Sequence, residues 1–367
     1  MYANPKNERV KRAYLTLLEK AYGKSKATAD HHLYAITRYE NFSCKEDFAL
    51  FNLERALAFK KELCNFTLSN GKTLSKSTIV SVLHRLEEFF RWLATQPGYK
   101  SKVKPDNIAY LRPLDNDLRI AQAKRFKEFP TVEQCEHLLR SMPFDTETQR
   151  RDRALIALLV ITGMRDSAIR SLCMKHVDIA NKVIYQDPHE VKTKFRNLIN
   201  TPFLPVSDLA QRIFIEWYQE LRTVKLFGND DPVMPQTLVI HDKDDAFTSS
   251  GQVTPKHWKT TGPIRRICKE AWESVGIKYY TPHRFRDMVV DFGQTLCTTP
   301  EDLKAWSKSL GHKEPMTTIT CYAHMSVMHQ IRVIRVLAQK KKEPANVQAK
   351  LLDMLEKLSS KMEDTES

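Results

Sequence analysis

A polar stretch from Arg112 to Pro130 breaks this 367-residue chain in two. It is edged by Pro113 and Pro130 and holds a basic cluster at Lys124, Arg125 and Lys127. Proline lacks the amide a helix needs and pushes the residue before it to extended backbone. The two sides are therefore expected to fold as separate bodies, residues 1–115 and 131–340, with 116–130 as linker and 341–367 as a tail. A chain of this length has room for two ordinary cores.

The first body reads as helical. From Ser77 to Thr95, Ile79, Val82, Leu83, Leu86, Phe89, Phe90 and Leu93 recur at helical spacing. Ser75 or Ser77 supplies the cap, and Pro97-Gly98 the stop. Weaker periodicity marks Thr28 to Phe42 and Leu53 to Phe66. Lys24, Lys26, Lys72 and Lys76 are expected in the connecting loops, where a DNA-clamping module would carry them.

Beyond Thr131 the pattern changes. Thr131 and Gln134 form a capping-box pair opening a helix. The apolar run Ala154 to Thr162 predicts a buried helix that delivers Gly163 and Arg165. Three β-like pieces follow at Val183-Ile184-Tyr185, Val191, and Leu198 to Val206, with Lys192, Lys194 and Arg196 in the bend between them. Ile213 to Val224, Ile264 to Val275, Arg286 to Leu296 and Leu303 to Leu310 read as helices. The expected class is mainly α with a small antiparallel sheet (α+β). After Lys340-Lys341-Lys342, an apolar stripe from Val347 to Met362 predicts a tail helix for this domain or a neighbouring protomer to cover.

Charge narrows the partners. The chain carries a formal +14, which points to nucleic acid. No apolar run approaches the roughly 20 residues that span a bilayer, and Met1 to Lys6 has no secretory apolar core. An intracellular location is expected, without a membrane partner. The seven cysteines are scattered, with no CxxC or zinc-knuckle spacing, and the twelve histidines form no HxxxH or HExxH pattern. Neither a metal nor a cofactor is implied.

On this basic background sit residue types suited to a phosphodiester. Thr162-Gly163-Met164-Arg165, Thr281-Pro282-His283-Arg284-Phe285-Arg286, Leu310-Gly311-His312 and Thr320-Cys321-Tyr322 succeed one another. Arg165 and Arg286 can clamp phosphate oxygens as planar, permanently charged forks. His283 and His312 can bind the phosphate or move a proton, and Tyr322 can attack phosphorus and later leave again. Lys192 or Lys194 can protonate the departing oxygen, since lysine gives up its proton when desolvated. Arg284 is a further candidate for contact with DNA.

The order Arg165, Lys192 or Lys194, His283-x-x-Arg286, Gly311-His312 and Tyr322 resembles the catalytic set of the tyrosine recombinase (phage integrase) family, over about residues 131–337. The resemblance implies a two-domain DNA clamp, with a helical core-binding domain ahead of the catalytic domain. It implies a site-specific recombinase or integrase of a phage or other mobile element, working through a 3′-phosphotyrosyl intermediate. Its partners would be double-stranded DNA with specific sites, further copies of itself (dimer to tetramer) and accessory DNA-bending proteins. Its place would be the nucleoid in the cytoplasm of a bacterial or archaeal host. A type IB topoisomerase-like or resolving enzyme would use the same chemistry, and a catalytically inactive DNA-binding regulator would use the same scaffold. Three departures stand out: Ala168 at a position usually acidic, a gap from His312 to Tyr322 one residue longer than is common, and two lysines competing in a long hairpin.

Overall fold

The computed structural model describes residues 4–123, 127–193, 197–241, 247–312 and Arg335. They divide into two compact units, 1–125 and 126–367. Among the described residues no helix is long and apolar enough to cross a membrane.

In the first unit, α1 (Pro5–Thr16), α2 (Lys26–Phe42), α3 (Leu53–Asn65) and α4 (Lys76–Leu93) begin alike. Asn4, Ser25, Asn52 and Ser75 each accept a first-turn amide with a side-chain oxygen. These caps explain a correction: Lys26 and Lys76 open helices rather than lie in loops. All seven apolar residues of the α4 stripe are buried. Around them the core is aromatic: Tyr39 meets Phe59 and Phe90 edge-on, and Phe51 stacks on Phe90 at 3.9 Å. Two short helices follow, α5 (Pro105–Ala109) and α6 (Asp115–Gln122). The α6 helix occupies part of the stretch read as linker. It packs on α4, and Lys76 pairs with its Asp117 at 2.7 Å.

The second unit opens with α7 (Val132–Ser141), where the Thr131–Gln134 capping box forms as expected. Its centre is α8 (Glu147–Thr162), which buries Ala154 to Thr162 without a break and packs against later helices. After α9 (Asp166–Arg170) come the antiparallel strands β1 (Val177–Asp178), β2 (Val183–Gln186) and β3 (Ile199–Pro202), in that order. Ile184 opposes Thr201 and Gln186 opposes Ile199, so all four face inward. Val191 is not a strand residue, because its amide turns back to the Asp187 carbonyl at 2.7 Å. The third strand is also shorter than expected, since Pro202 and Pro205 cannot donate to a ladder.

α10 (Asp208–Thr223) packs along α8. An unexpected antiparallel hairpin follows, β4 (Pro235–His241) with β5 (Phe247–His257). Among the described residues, the last helices are α11 (Gly262–Ser274), α12 (Pro282–Leu296) and α13 (Pro300–Ser309). Tyr322, Lys194, Lys124, Arg125 and the tail stripe from Val347 to Met362 lie outside the described residues.

Candidate active site

Three helix ends meet here: the C-termini of α8 and α13, and the first turns of α12. The α8 helix stops at Gly163, whose φ of +56° is open to glycine and costly for other residues. A Cβ at Gly163 would stand 3.2 Å from Leu310 Cδ2 and 3.4 Å from Arg286 Cα. Glycine is thus needed both for the turn and for the close approach of α12. Thr162 locks the turn, donating from Oγ1 to the Leu158 carbonyl (2.5 Å) and accepting from the Met164 amide (3.2 Å). Two residues on, Arg165 leaves the turn half-buried.

Arg286 is 2% exposed on α12. Its Nη1 donates to the Gly163 carbonyl at 2.9 Å, and its Nη2 reaches the Leu310 carbonyl and His312 Nε2, the latter at 2.8 Å. His312 is brought there by Gly311, at φ +69°, whose amide closes the end of α13 on the Lys308 carbonyl at 2.8 Å. A Cβ on Gly311 would lie 2.4 Å from Ile199 Cδ1. The expectation that this glycine ends a helix and turns the histidine inward is met, with His312 8% exposed.

These contacts set the protonation state. A guanidinium can only donate, so His312 Nε2 accepts and the ring proton sits on Nδ1. Burial first, then the charges of Arg286 and Arg165, push His312 down to about 3. His283 lies on the same helix as Arg286 and is exposed as a residue. Partial burial, followed by Arg286, Arg284 and Arg165, lowers its pKa as well, to about 4. Both imidazoles are therefore neutral at neutral pH.

Arg165 and His283 line one cleft of about 380 Å³, together with Met164, Asp166, Arg265, Thr281 and Pro282. Arg265, which the sequence did not single out, is held at this cleft by Asp166 at 3.1 Å. Lys192 is exposed, and its amide donates to Ser171 Oγ at 2.8 Å. Arg284 turns to Asp287 one helical turn on, and its side chain is largely buried. Of the other candidates for DNA contact, Lys24, Lys26, Lys72 and Lys127 are exposed and Lys76 is half-buried. Arg165, His283, Arg286 and His312 are the predicted residues that converge. Gln186, Thr193 and Thr201 line a second small cavity beside the two arginines and were missed. Only the place of Thr193 between two flagged lysines hinted at it.

The Phage integrase family matches residues 129–329, more than half of the chain. The tyrosine recombinase XerC of Lactobacillus leichmannii is 24% identical over 270 residues, covering 74% of this chain and 79% of that protein. XerC of Staphylococcus epidermidis (strain ATCC 35984) is 21% identical over 323 residues, covering 87% and 93%. Two solved structures share the fold at a TM-score of 0.57. One is a lambda integrase dimer bound to a COC′ core site (15% identity; 85% of this chain, 76% of that one). The other is the Tn1549 transposon integrase with transposon right end DNA (16% identity; 90% and 99%). The chain belongs to the phage integrase family and is a tyrosine recombinase, a site-specific DNA strand transferase.

Proposed function

We propose that this protein cuts and rejoins double-stranded DNA through a covalent 3′-phosphotyrosyl link at Tyr322, in the integration or excision of a phage or other mobile element. The observation that carries this reading is the convergence of Arg165, Arg286, His283 and His312 from α8, α12 and α13. Cleavage of a phosphodiester builds negative charge on the non-bridging oxygens, and cations fixed beforehand stabilise it most. Arg165 faces the cleft and takes the phosphate directly. Arg286, tied to two carbonyls and His312, contributes mainly charge and a fixed frame.

In the forward step Tyr322 Oη bonds to phosphorus as the bond to the 5′-oxygen breaks. The tyrosine proton passes to a neutral histidine, and His283, at the solvent side, has the lone pair to take it. Lys192 or Lys194 gives a proton to the departing 5′-oxygen. The phosphotyrosine conserves the bond energy, so the reverse step reseals a strand without a nucleotide cofactor. The exposed lysines of the first unit, with Lys127, would hold the duplex by phosphate contacts. Copies of the chain would pair on matched sites, on the nucleoid of a bacterial or archaeal cell, with DNA-bending proteins as accessories.

The test uses a nicked duplex carrying a site selected from random DNA by the Tyr322→Phe protein. Wild type should form an SDS-resistant protein–DNA adduct, and Tyr322→Phe none. An adduct with Tyr322→Phe removes Tyr322 as nucleophile. A 5′-phosphorothiolate at the scissile bond, whose leaving group needs no proton, should rescue whichever of Lys192→Ala and Lys194→Ala lacks the acid.

A further inference from the structure

Beside the cleft, and sharing Arg165 with it, lies a cavity of about 10 Å³ lined by Arg165, Ala168, Gln186, Thr193, Thr201 and Arg286. That is room for about one water, which needs two to four polar partners. The lining supplies them. Thr193 Oγ1 is buried and makes no hydrogen bond to protein, a state that is unfavourable for a hydroxyl. Gln186 is buried and donates from Nε2 to Thr201 Oγ1 at 2.8 Å, and Thr201 in turn donates to the Ser309 carbonyl at 2.8 Å. Thr201 is thereby engaged, and the Gln186 carboxamide is fixed in place with its oxygen as an acceptor. Ala168 contributes only a methyl group.

We propose that this cavity binds one ordered water, held by Thr193 and Gln186, and that through it these two side chains act as positioning residues for Arg165. A guanidinium has five donors in a rigid plane, and a lone pair from water can orient it without cancelling its charge. A carboxylate in the same place would orient it and quench the field that acts on phosphate and on both histidines. Thr193 also lies between Lys192 and Lys194, so the water ties the loop bearing the candidate acids to the arginine clamp. The inference rests on the reading of Arg165 as a phosphate clamp.

Thr193→Val removes the hydroxyl at nearly constant shape. On the nicked substrate its cleavage rate should fall roughly tenfold, with DNA affinity and Tm unchanged. Thr193→Ser should recover to within about threefold of wild type. Wild-type cleavage by Thr193→Val overturns the proposal, and so does equal loss in both variants, which marks packing rather than a hydrogen bond. Arg165→Ala separates the two levels. If it cleaves like wild type, the clamp reading fails and the water's role fails with it. If it is inactive while Thr193→Val is normal, only the present inference fails. Should Thr193→Val lose Tm, a high-resolution crystal structure of the wild type decides. Density within hydrogen-bond distance of Thr193 Oγ1 supports the proposal, and a dry cavity ends it.

Discussion

In the N-terminal unit a buried cation, Lys11, meets carboxylates: Glu40 and Glu8, each at 2.6 Å. In the C-terminal unit a buried cation, Arg286, meets the carbonyl oxygens of Gly163 and Leu310 and the imidazole of His312. The first arrangement cancels charge where it stands. The second holds a guanidinium by dipoles and lets its field reach outward. His283 and His312 register that field, since the arginines add to burial in lowering both. The same physical problem is thus solved for packing in one unit and for reactivity in the other.

The strongest way to break this contrast is Glu40→Ala. It strips one of two carboxylates from Lys11, whose side chain is 9% exposed, and leaves Glu8 in place, so it should destabilise the first unit by roughly 2–3 kcal/mol. Denaturant unfolding would show it, while cleavage per folded molecule stays constant. A loss below about 1 kcal/mol would show that Glu8 alone satisfies Lys11.

Acid is the next probe. His312 has a folded pKa near 3, below the unfolded value of 6.5. Its stabilising share is therefore intact above pH 6.5 and lost as pH falls toward 3. Between pH 7 and pH 5 His312 should cost the second unit about 2 kcal/mol, His283 should add to the loss in the same direction, and His312→Gln should flatten the slope in part. His32 in the first unit is also lowered, by burial and by Arg85, Lys24 and His31 with Glu88 opposing, but the second unit carries two lowered histidines. Acid should accordingly melt the second unit first, and the reverse order would contradict the contrast. The smallest effect is expected from Thr131→Ala, which removes one side of a capping box and should take ~1 kcal/mol from the second unit alone.

What the sequence showed was local. The α4 stripe, the Thr131 capping box and the turn at Gly311 depend on residues within a few positions of one another, and each formed as expected. The β4–β5 hairpin gave no such signal, because Leu238, Val239 and Ile240 are all substantially exposed and no alternation marks a buried face. The site divides along the same line. Arg165, His283, Arg286 and His312 were legible from residue type and order. That Arg286 is almost wholly buried, or that Gln186 reaches Thr201, was not. Those facts depend on the approach of α12 to Gly163 and on the β2–β3 register, which join residues far apart in the chain.

The contact at Gly163 also governs how the enzyme can meet its substrate. Arg286 grows from a backbone 3.4 Å from where a Gly163 side chain would begin, and it bonds to the carbonyl of that glycine. Arg165 follows two residues later. In the proposed reading, the guanidinium that takes the phosphate and the one that charges the site are thus borne by a single frame. Such a frame does not mould itself to what it binds. Sequences that bend cheaply to meet it would then be cut first, making DNA flexibility part of target choice even where no base is touched.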